Sequence, residues 1–276
     1  MEVSVVIPCL NGAAYIRAQL DALAAQRWPG AWEVIVADNG STDASLRIVE
    51  EYRDRLPALR IVDASDRPGQ PHALNAGARA ARGEAVLFCD ADDVVGQGWL
   101  AAMAEALRHH DFVACRIDTR RLNPPWLHWM RPQEQGLQVY RYPPYLLHAG
   151  GGTLGVKRAI FNAVGGFDES LPYVHDTDLC WKIQRSGTPL EFVPAAVIHM
   201  RMRRSLRGLM RQARAWGVYN AILQMRYRPA ATPPPGLRSE LAAWKNLLLN
   251  RPFRIRSRGD LAQWLWHLGW WLGRLR

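Results

Sequence analysis

Short apolar runs alternate with segments of helical period along the first 110 residues. SVVIP (4–8) precedes a helical pattern over 13–26, and EVIVA (33–37) precedes one over about 43–55. LRIVD (59–63) precedes one over 71–82, and AVLFC (85–89) precedes one over 99–109. The runs are apolar throughout, which predicts strands buried on both faces. Their alternation with helices predicts right-handed crossovers and a mainly parallel sheet. Ligands of such sheets sit at the carboxyl ends of the strands. The polar residues found there are Asn11, Asp38, Asn39, Asp43, Asp63, Asp90, Asp92 and Asp93.

The second half is less regular. Residues 118–148 carry Pro124, Pro125, Pro132, Pro143 and Pro144 among aromatics, the composition of an irregular wall or lid. Gly150, Gly151 and Gly152 follow, and predict close backbone approach or unusual dihedrals. A helix is expected over 175–185, ending at Gly187, and a strand over 190–199. A basic helix over 204–228 leads to the ATPPPG segment (231–236), which reads as a linker, and two helical segments (238–249 and 259–273) close the sequence.

Charge divides unevenly. Residues 201–276 hold 16 Arg and Lys against two acids, Glu240 and Asp260, whereas the whole chain has a net charge of +10. The body is therefore mildly acidic and the tail strongly basic. Six of the twelve Trp (Trp216, Trp244, Trp264, Trp266, Trp270, Trp271) lie in that tail. Cys9, Cys89, Cys115 and Cys180 are far apart, with no CxxC or Cys/His ligand spacing, which predicts buried thiols in a reducing compartment, the cytoplasm. MEVSVVIPCLNG lacks the basic and long apolar regions of a signal peptide, and no spanning helix is expected.

Two strand ends carry the candidate chemistry. In AVLFCDADD three mutually repelling carboxylates, Asp90, Asp92 and Asp93, stand where a buried strand surfaces. A turn or N-cap explains one Asp. Three suggest a hard cation, Mg²⁺ or Mn²⁺, which takes oxygen ligands and leaves positions for phosphate oxygens. VIVADNGSTDAS ends a second strand in Asp38 and Asn39, with Ser41 or Asp43 as the turn-and-cap alternative. Neither a G-x-x-x-x-G-K-[ST] loop nor a G-x-G-x-x-G fingerprint occurs, so phosphate clamping is left to a metal.

SVVIPCLNGAAYI, VIVADNGSTDAS, HALNAGARAARGEAVLFCDADD, GGFDES and HDTDLCWKIQRSG, in this order and spacing, resemble family 2 glycosyltransferases over residues 3 to about 200. The resemblance implies an α/β fold of the GT-A type, a Rossmann-like, mainly parallel sheet flanked by helices. The basic, Trp-rich helical extension follows it. A catalytic domain is expected over 1–200, with a nucleotide-sugar-binding half (1–115) and an acceptor-binding half (116–200). A helical region over 201–276, with a Pro-rich linker at 229–236, completes the chain. The implied reaction is an inverting, metal-dependent (Mn²⁺ or Mg²⁺) transfer of a sugar from a nucleotide-diphosphate donor to an acceptor hydroxyl, in cell-envelope polysaccharide or glycolipid synthesis.

Carried over by position, Pro8 and Asn11 line the nucleotide pocket, Asp38 reads the base and Asp90 lies near the ribose. Asn39 and Ala91 belong to the same donor-binding segments. Asp92 resembles the metal ligand of the D-x-D motif, and Asp176 the base. His199, otherwise a hydrogen-bonded strand-end histidine, resembles the late histidine that completes the metal or diphosphate site. Trp181 and Cys180 read as core or acceptor-pocket wall, and packing is the simpler role. There are two departures. Gln70, Pro71 and His72 stand where many relatives carry a basic residue, which shifts phosphate neutralisation to the metal, His72 or Arg67. His175 stands where the family usually has Glu.

Two other classes fit parts of the sequence. A nucleic-acid-binding protein would explain the basic tail, although no nucleic-acid fold is recognisable and nucleic acid is not an expected partner. A nucleotidyltransferase would use the same metal chemistry but needs a Gly-rich, basic loop where this chain has PCLNGAAYI. In the tail, Leu261, Trp264, Leu265, Leu268, Trp271, Leu272 and Leu275 recur at helical spacing, with Arg256, Arg258, Arg274 and Arg276 flanking. The stripe reads either as packing on the catalytic domain or as a monotopic anchor on the anionic inner face of a membrane.

Overall fold

A computed structural model describes residues 1–130, 137–139, 144–228, 241–242 and 244–275. The described residues form two compact units. The first comprises residues 1–121, 133–139 and 146–201, and the second residues 122–132, 140–145 and 202–276.

The first unit is built on β1 (Val3–Cys9), β2 (Trp32–Asp38), β3 (Arg60–Asp63) and β4 (Ala85–Phe88), separated by α1 (Ile16–Ala24), α2 (Ser45–Glu50) and α3 (Gln70–Ala80). After β4 come β5 (Val94–Val95), α4 (Trp99–His109) and β6 (Phe112–Asp118), as well as a small β7–β8 hairpin (Gln138–Val139, Leu147–His148). β9 (Leu154–Lys157), α5 (Arg158–Ala163), α6 (His175–Arg185) and β10 (Glu191–His199) complete the unit. The eight-stranded sheet runs β3-β2-β1-β4-β9-β6-β10-β5.

β9 is the topological key. It is antiparallel to both β4 and β6, so two reversals return β6 to the direction of β4, and β10 runs parallel to β6. The carboxyl ends of β1, β2, β3, β4, β6 and β10 consequently share one edge. Gly155 permits this crowding, since a Cβ there would sit 2.6 Å from Leu87 Cδ2. β1, β2 and β4 are buried along their lengths, which explains their continuous apolar reading. α1 and α4 pack Ile16, Leu20, Leu23, Trp99, Met103 and Leu107 against the strands.

Several elements differ from the sequence pattern. The helix expected from residue 13 starts at Ile16, because Asn11 takes φ 52° and residues 12–15 form a turn closed by Tyr15 and Ile16 N–H donating to the Gly12 carbonyl. The helix over 43–55 is regular only to Glu50 and continues as hydrogen-bonded turns to Leu56. β10 is interrupted by a register shift between Val193 and Val197, the stretch that holds Pro194. The 231–236 linker lies outside the described residues, as does part of the 238–249 helix.

The second unit packs α7 (Leu206–Tyr227) on α8 (Arg258–Arg274). Gly217 and Gly273 have no room for a Cβ, which would strike the Trp270 and Arg214 carbonyls respectively. Leu127, Leu209 and Ala262 form its core with Trp126, Trp129 and Trp266 around them. Each helix is capped by a serine, Ser205 for α7 and Ser257 for α8, accepting from the N–H of Gly208 and Asp260. No described helix is long and apolar enough to cross a membrane.

At the opposite end of β1 and β2 from the shared edge, the buried Glu33 ties three segments together. It accepts from Ser4 Oγ (2.7 Å) and Arg82 N–H (2.7 Å), and its other oxygen takes Arg60 Nη2 (2.6 Å). Burial pushes this carboxyl up, but the three donors outweigh it and hold it below its ordinary range. The stability it contributes is therefore complete above the unfolded value and lost as pH falls through the folded one. Glu33→Ala strands the half-buried Arg60 and is expected to cost about 3–5 kcal/mol, read as a lowered midpoint in urea at pH 7. The difference from wild type should narrow below pH 4. An unchanged midpoint would remove Glu33 as an anchor.

Candidate active site

β1 and β2 end level with each other, Cys9 opposite Asp38, and Asp38 stands opposite Asp63 on β3. Asp38 is buried and turned back on its own loop, accepting from Gly40 N–H (3.2 Å) and Ser41 N–H (3.1 Å). Asn39 closes the next loop, donating to the Ala64 and Arg67 carbonyls and accepting from Gly69 N–H. Asn11 bridges the two strand ends, its Oδ1 accepting from Thr42 N–H (2.9 Å) and Asp43 N–H (3.3 Å). Asp43 opens α2 by accepting from Ser45, and its second oxygen takes Ala13 N–H (3.0 Å). These donors hold its carboxyl below the ordinary range. Pro8 lies beyond the last β1–β4 pair, where its missing N–H interrupts no ladder on that side. Of the residues expected to bind donor, Pro8, Asn11, Asp38 and Asn39 thus converge on one rim.

The carboxylate cluster follows β4 on the same edge. Ala91 faces the β1 loop, with an added Gly12 Cβ 3.6 Å from its own. Asp90 accepts from Gln70 Nε2 (2.8 Å), and Gly152 approaches so closely that a Cβ there would lie 2.9 Å from Asp90 Oδ2. The GGG sequence thus does give close backbone approach. Burial, then the charges of Asp92 and Asp176, push Asp90 up to about 7. Asp92 is exposed. Asp93 is buried: Oδ1 accepts from Arg201 N–H (2.7 Å), while Oδ2 has no partner among the described residues. Burial and its two acidic neighbours raise Asp93 well above the carboxylate range.

His199 ends β10 beside this cluster, opposite Val94 of β5. Its Nδ1 is 2.6 Å from Asp118 Oδ2, at the end of β6. That pairing fixes the ring and directs Nε2 away from Asp118, the arrangement in which a carboxylate orients a histidine that ligates a metal. No group of three or more His, Cys, Asp or Glu among the described residues is arranged to hold a metal by itself. The donor set nonetheless suits a hard cation that keeps positions for phosphate oxygens. It offers an exposed carboxylate, an orphaned buried carboxylate oxygen and crowded negative charge.

Asp176 approaches from α6. Its Oδ2 accepts from Gly151 N–H (3.1 Å) and its Oδ1 from Thr177 N–H (2.8 Å), so the glycine run touches both Asp90 and Asp176. Val174, just before α6, adopts φ 56°, a conformation unfavourable for a β-branched residue. His175 is buried edge-on to Phe167 (5.4 Å), and burial lowers its pKa, so it is neutral. Asp178 is fully buried and paired with Lys182 (3.4 Å). Cys180 and Trp181 are both buried, and the Trp181 indole donates to the Leu146 carbonyl (3.2 Å).

Two cations expected to neutralise phosphate are otherwise engaged. His72 lies between Asp66 (2.8 Å) and Glu169 (3.0 Å), and Arg67 pairs with Glu169 (2.6 Å). The hydrogen bond to Asp66, outweighing burial and aided by Glu169, raises His72, so it serves as a clasp between α3 and the GGFDES loop. Sequence reasoning missed Gln70 and Arg201 as neighbours of the cluster. The hint for Gln70 was its position, where many relatives carry a basic residue. Arg201 carries no motif.

The sequence profile described as Glycosyl transferase family 2 matches residues 4–165, more than half of the chain. An uncharacterized glycosyltransferase of Rickettsia prowazekii is 31% identical over 193 residues, covering 66% of this chain and 58% of the relative. The poly(ribitol-phosphate) beta-N-acetylglucosaminyltransferase TarS of Staphylococcus aureus is 38% identical over 126 residues, 45% of this chain and 22% of the relative. The chain thus spans well under two thirds of these relatives. Among solved structures, the mannosyltransferase PcManGT of Pyrobaculum calidifontis, in complex with GDP-Man and Mn²⁺, superposes with a TM-score of 0.65 at 21% identity, covering 99% of this chain and 86% of the other. TarS residues 1–349 in complex with UDP-GlcNAc give 0.57 at 20% identity, covering 96% and 78%. These likenesses establish the GT-A fold. The profile match over more than half of the chain makes this chain a member of glycosyl transferase family 2.

Proposed function

We propose that the protein transfers a sugar from a nucleotide-diphosphate donor to an acceptor hydroxyl, with inversion and with the help of a divalent cation. The observation that carries this reading is the convergence, on one sheet edge, of the Asp38 rim, the Asp90–Asp93 cluster and Asp176 from a separate helix. TarS and PcManGT, with UDP-GlcNAc and GDP-Man, are precedents for the donor class.

Pro8, Asn11, Asp38, Asn39, Asp90 and Ala91 would form the donor side. Asp92 and His199 would hold Mn²⁺ or Mg²⁺, and the bound cation would offset charge on the departing diphosphate. Asp176 would take the proton of the attacking hydroxyl. Its carboxylate is already oriented by two backbone N–H groups, so little reorganisation precedes the transfer. Asp178, buried and paired with Lys182, has the structural role in the same helix turn.

The acceptor fits a cell-envelope glycan or glycolipid if the second unit meets a membrane. In α8 the buried positions are Ala262, Gly269 and Gly273, while Trp264, Leu265, Leu268, Trp271 and Leu272 remain half-exposed. Leu248, Leu249 and Phe253 are exposed nearby, with Arg251, Arg254, Arg256 and Arg258 around them. An apolar surface edged by arginines is the composition of a peripheral anchor for anionic lipid at the inner membrane face.

Three measurements test these readings. Incubation with a panel of nucleotide sugars should release UDP, GDP or TDP, with activity lost in excess EDTA and in Asp92→Ala. Full turnover in EDTA would exclude the metal. Asp176→Asn should keep donor affinity and melting temperature while lowering kcat by about 10²–10⁴-fold. Transfer at the wild-type rate at saturating acceptor would move the base elsewhere. Cosedimentation with phosphatidylglycerol vesicles should exceed that with neutral vesicles and weaken as salt rises. Equal binding to both would exclude the electrostatic anchor.

A further inference from the structure

We infer that Arg201 binds the diphosphate of the donor, supplying the protein cation that the sequence lacks before the ALNAG segment. The inference rests on the nucleotide-sugar reading and adds to it a residue that no motif marks. Arg201 stands two positions beyond His199, at the edge where β10 ends. Three contacts fix it. Its backbone N–H donates to Asp93 Oδ1 (2.7 Å), its Nε donates to the Asp92 carbonyl (2.9 Å), and its guanidinium carbon lies 4.6 Å from the centre of the Tyr15 ring. Tyr15 immediately precedes α1, on the loop that follows β1. The guanidinium is therefore held between the nucleotide-side loop and the surfacing carboxylates.

A purely structural role accounts for only part of this arrangement. The hydrogen bond to Asp93 comes from the backbone, and any residue at 201 except proline would make it; the side chain adds only its charge, near enough to lower Asp93 somewhat. The Nε bond closes the turn through a carbonyl, which needs one donor. The two Nη groups make no hydrogen bond or ion pair with the described residues and remain as a planar fork, the geometry that matches phosphate oxygens in pairs. Stacking on Tyr15 orients the fork without using its donors.

Charge identifies the ligand. This edge gathers Asp38, Asp90, Asp92, Asp93 and Asp118, with Asp176 close enough to raise Asp90. His72 and Arg67 are taken by Asp66 and Glu169. Gln70, in the position often basic among relatives, offers Asp90 only a neutral amide. A diphosphate entering this field needs positive charge from the protein as well as from a cation, and Arg201 is the guanidinium already in contact with the cluster. An uncharged acceptor has no such need.

The test compares ligands rather than rates. With the full chain in Mn²⁺, titration calorimetry against UDP, GDP and TDP selects the base, and the matching nucleoside, mono- and diphosphate are then measured. Arg201→Met is expected to weaken the diphosphate about 10–100-fold, the range for a hydrogen-bonded charge, and to change nucleoside affinity less than about threefold. Arg201→Lys should recover part of the loss, since an ammonium offers charge without the fork. If Arg201→Met does not fold, Tyr15→Leu, which removes only the stacking surface, should weaken the diphosphate and spare the nucleoside. Equal loss for nucleoside and diphosphate would reduce Arg201 to a structural clamp, and diphosphate affinity within twofold of wild type would overturn the assignment. Absence of diphosphate binding by the wild type would overturn the nucleotide-sugar reading, and this inference with it.

Discussion

Asp90, Asp92 and Asp93 repel one another where β4 leaves the core, and the surrounding elements are disposed to contain that repulsion before a ligand arrives. Gln70 of α3 reaches one oxygen of Asp90, Arg201 beyond β10 donates to Asp93, and Gly152 brings backbone against Asp90 where any side chain would collide. The containment is incomplete. Asp90 sits near 7 and one oxygen of Asp93 has no described partner. A carboxylate cluster stabilised only in part is one that gains by binding positive charge, and a fully neutralised cluster would have no such affinity.

The single device that assembles this edge is β9. Paired antiparallel with both β4 and β6, it stands between two sets of parallel strands that keep one polarity, so that β10 ends with His199 opposite Val94, next to Asp93. The price is space, and glycine supplies it: a methyl group on Gly155 would strike Leu87 and press tightly on Met103 and Val113. The glycine run 150–152 immediately before β9 performs the same service for the site, meeting Asp90 on one side and Asp176 on the other. One short segment thus joins two halves of the sheet and brings backbone against both Asp90 and Asp176.

Much of this was legible in the residues, and the parts that were not have physical reasons. Long apolar runs and helical periods located β1 to β4, α3, α4 and α6, because burial on two faces or on one stripe leaves a clear pattern. β5, β6 and β9 were not anticipated: β5 has two residues, β9 is a four-residue LGVK with a glycine and a lysine in it, and β6 breaks its apolar run with Arg116 and Asp118, so none shows the uninterrupted apolar run that marked β1 to β4. The carboxylates were visible because an acid at the end of a buried strand breaks the local rule. Arg201 and Gln70 break no rule where they stand, and only tertiary contact gives them meaning. His72 illustrates the opposite case: its position hinted at phosphate, but two carboxylates that are distant from one another in sequence claim it first.

The second unit follows a different logic. The leucine and tryptophan stripe of α8 read either as packing on the catalytic domain or as a membrane anchor; the face that meets α7 is another one, the small residues Ala262, Gly269 and Gly273, where backbone rather than side chain makes the contact. Helices that approach through glycine keep their large residues free for another surface. Arg258 and Arg274 lie over Trp126 and Trp270 instead of seeking carboxylates, and residues 202–276 contain only Glu240 and Asp260 to offer them, the latter already occupied in capping α8. The basic residues of this stretch therefore far outnumber its two acids, while at the strand edge of the first unit it is the acids that crowd together. Each unit thus carries a surplus of charge of one sign, acidic where the strands of the first unit end and basic along residues 202–276.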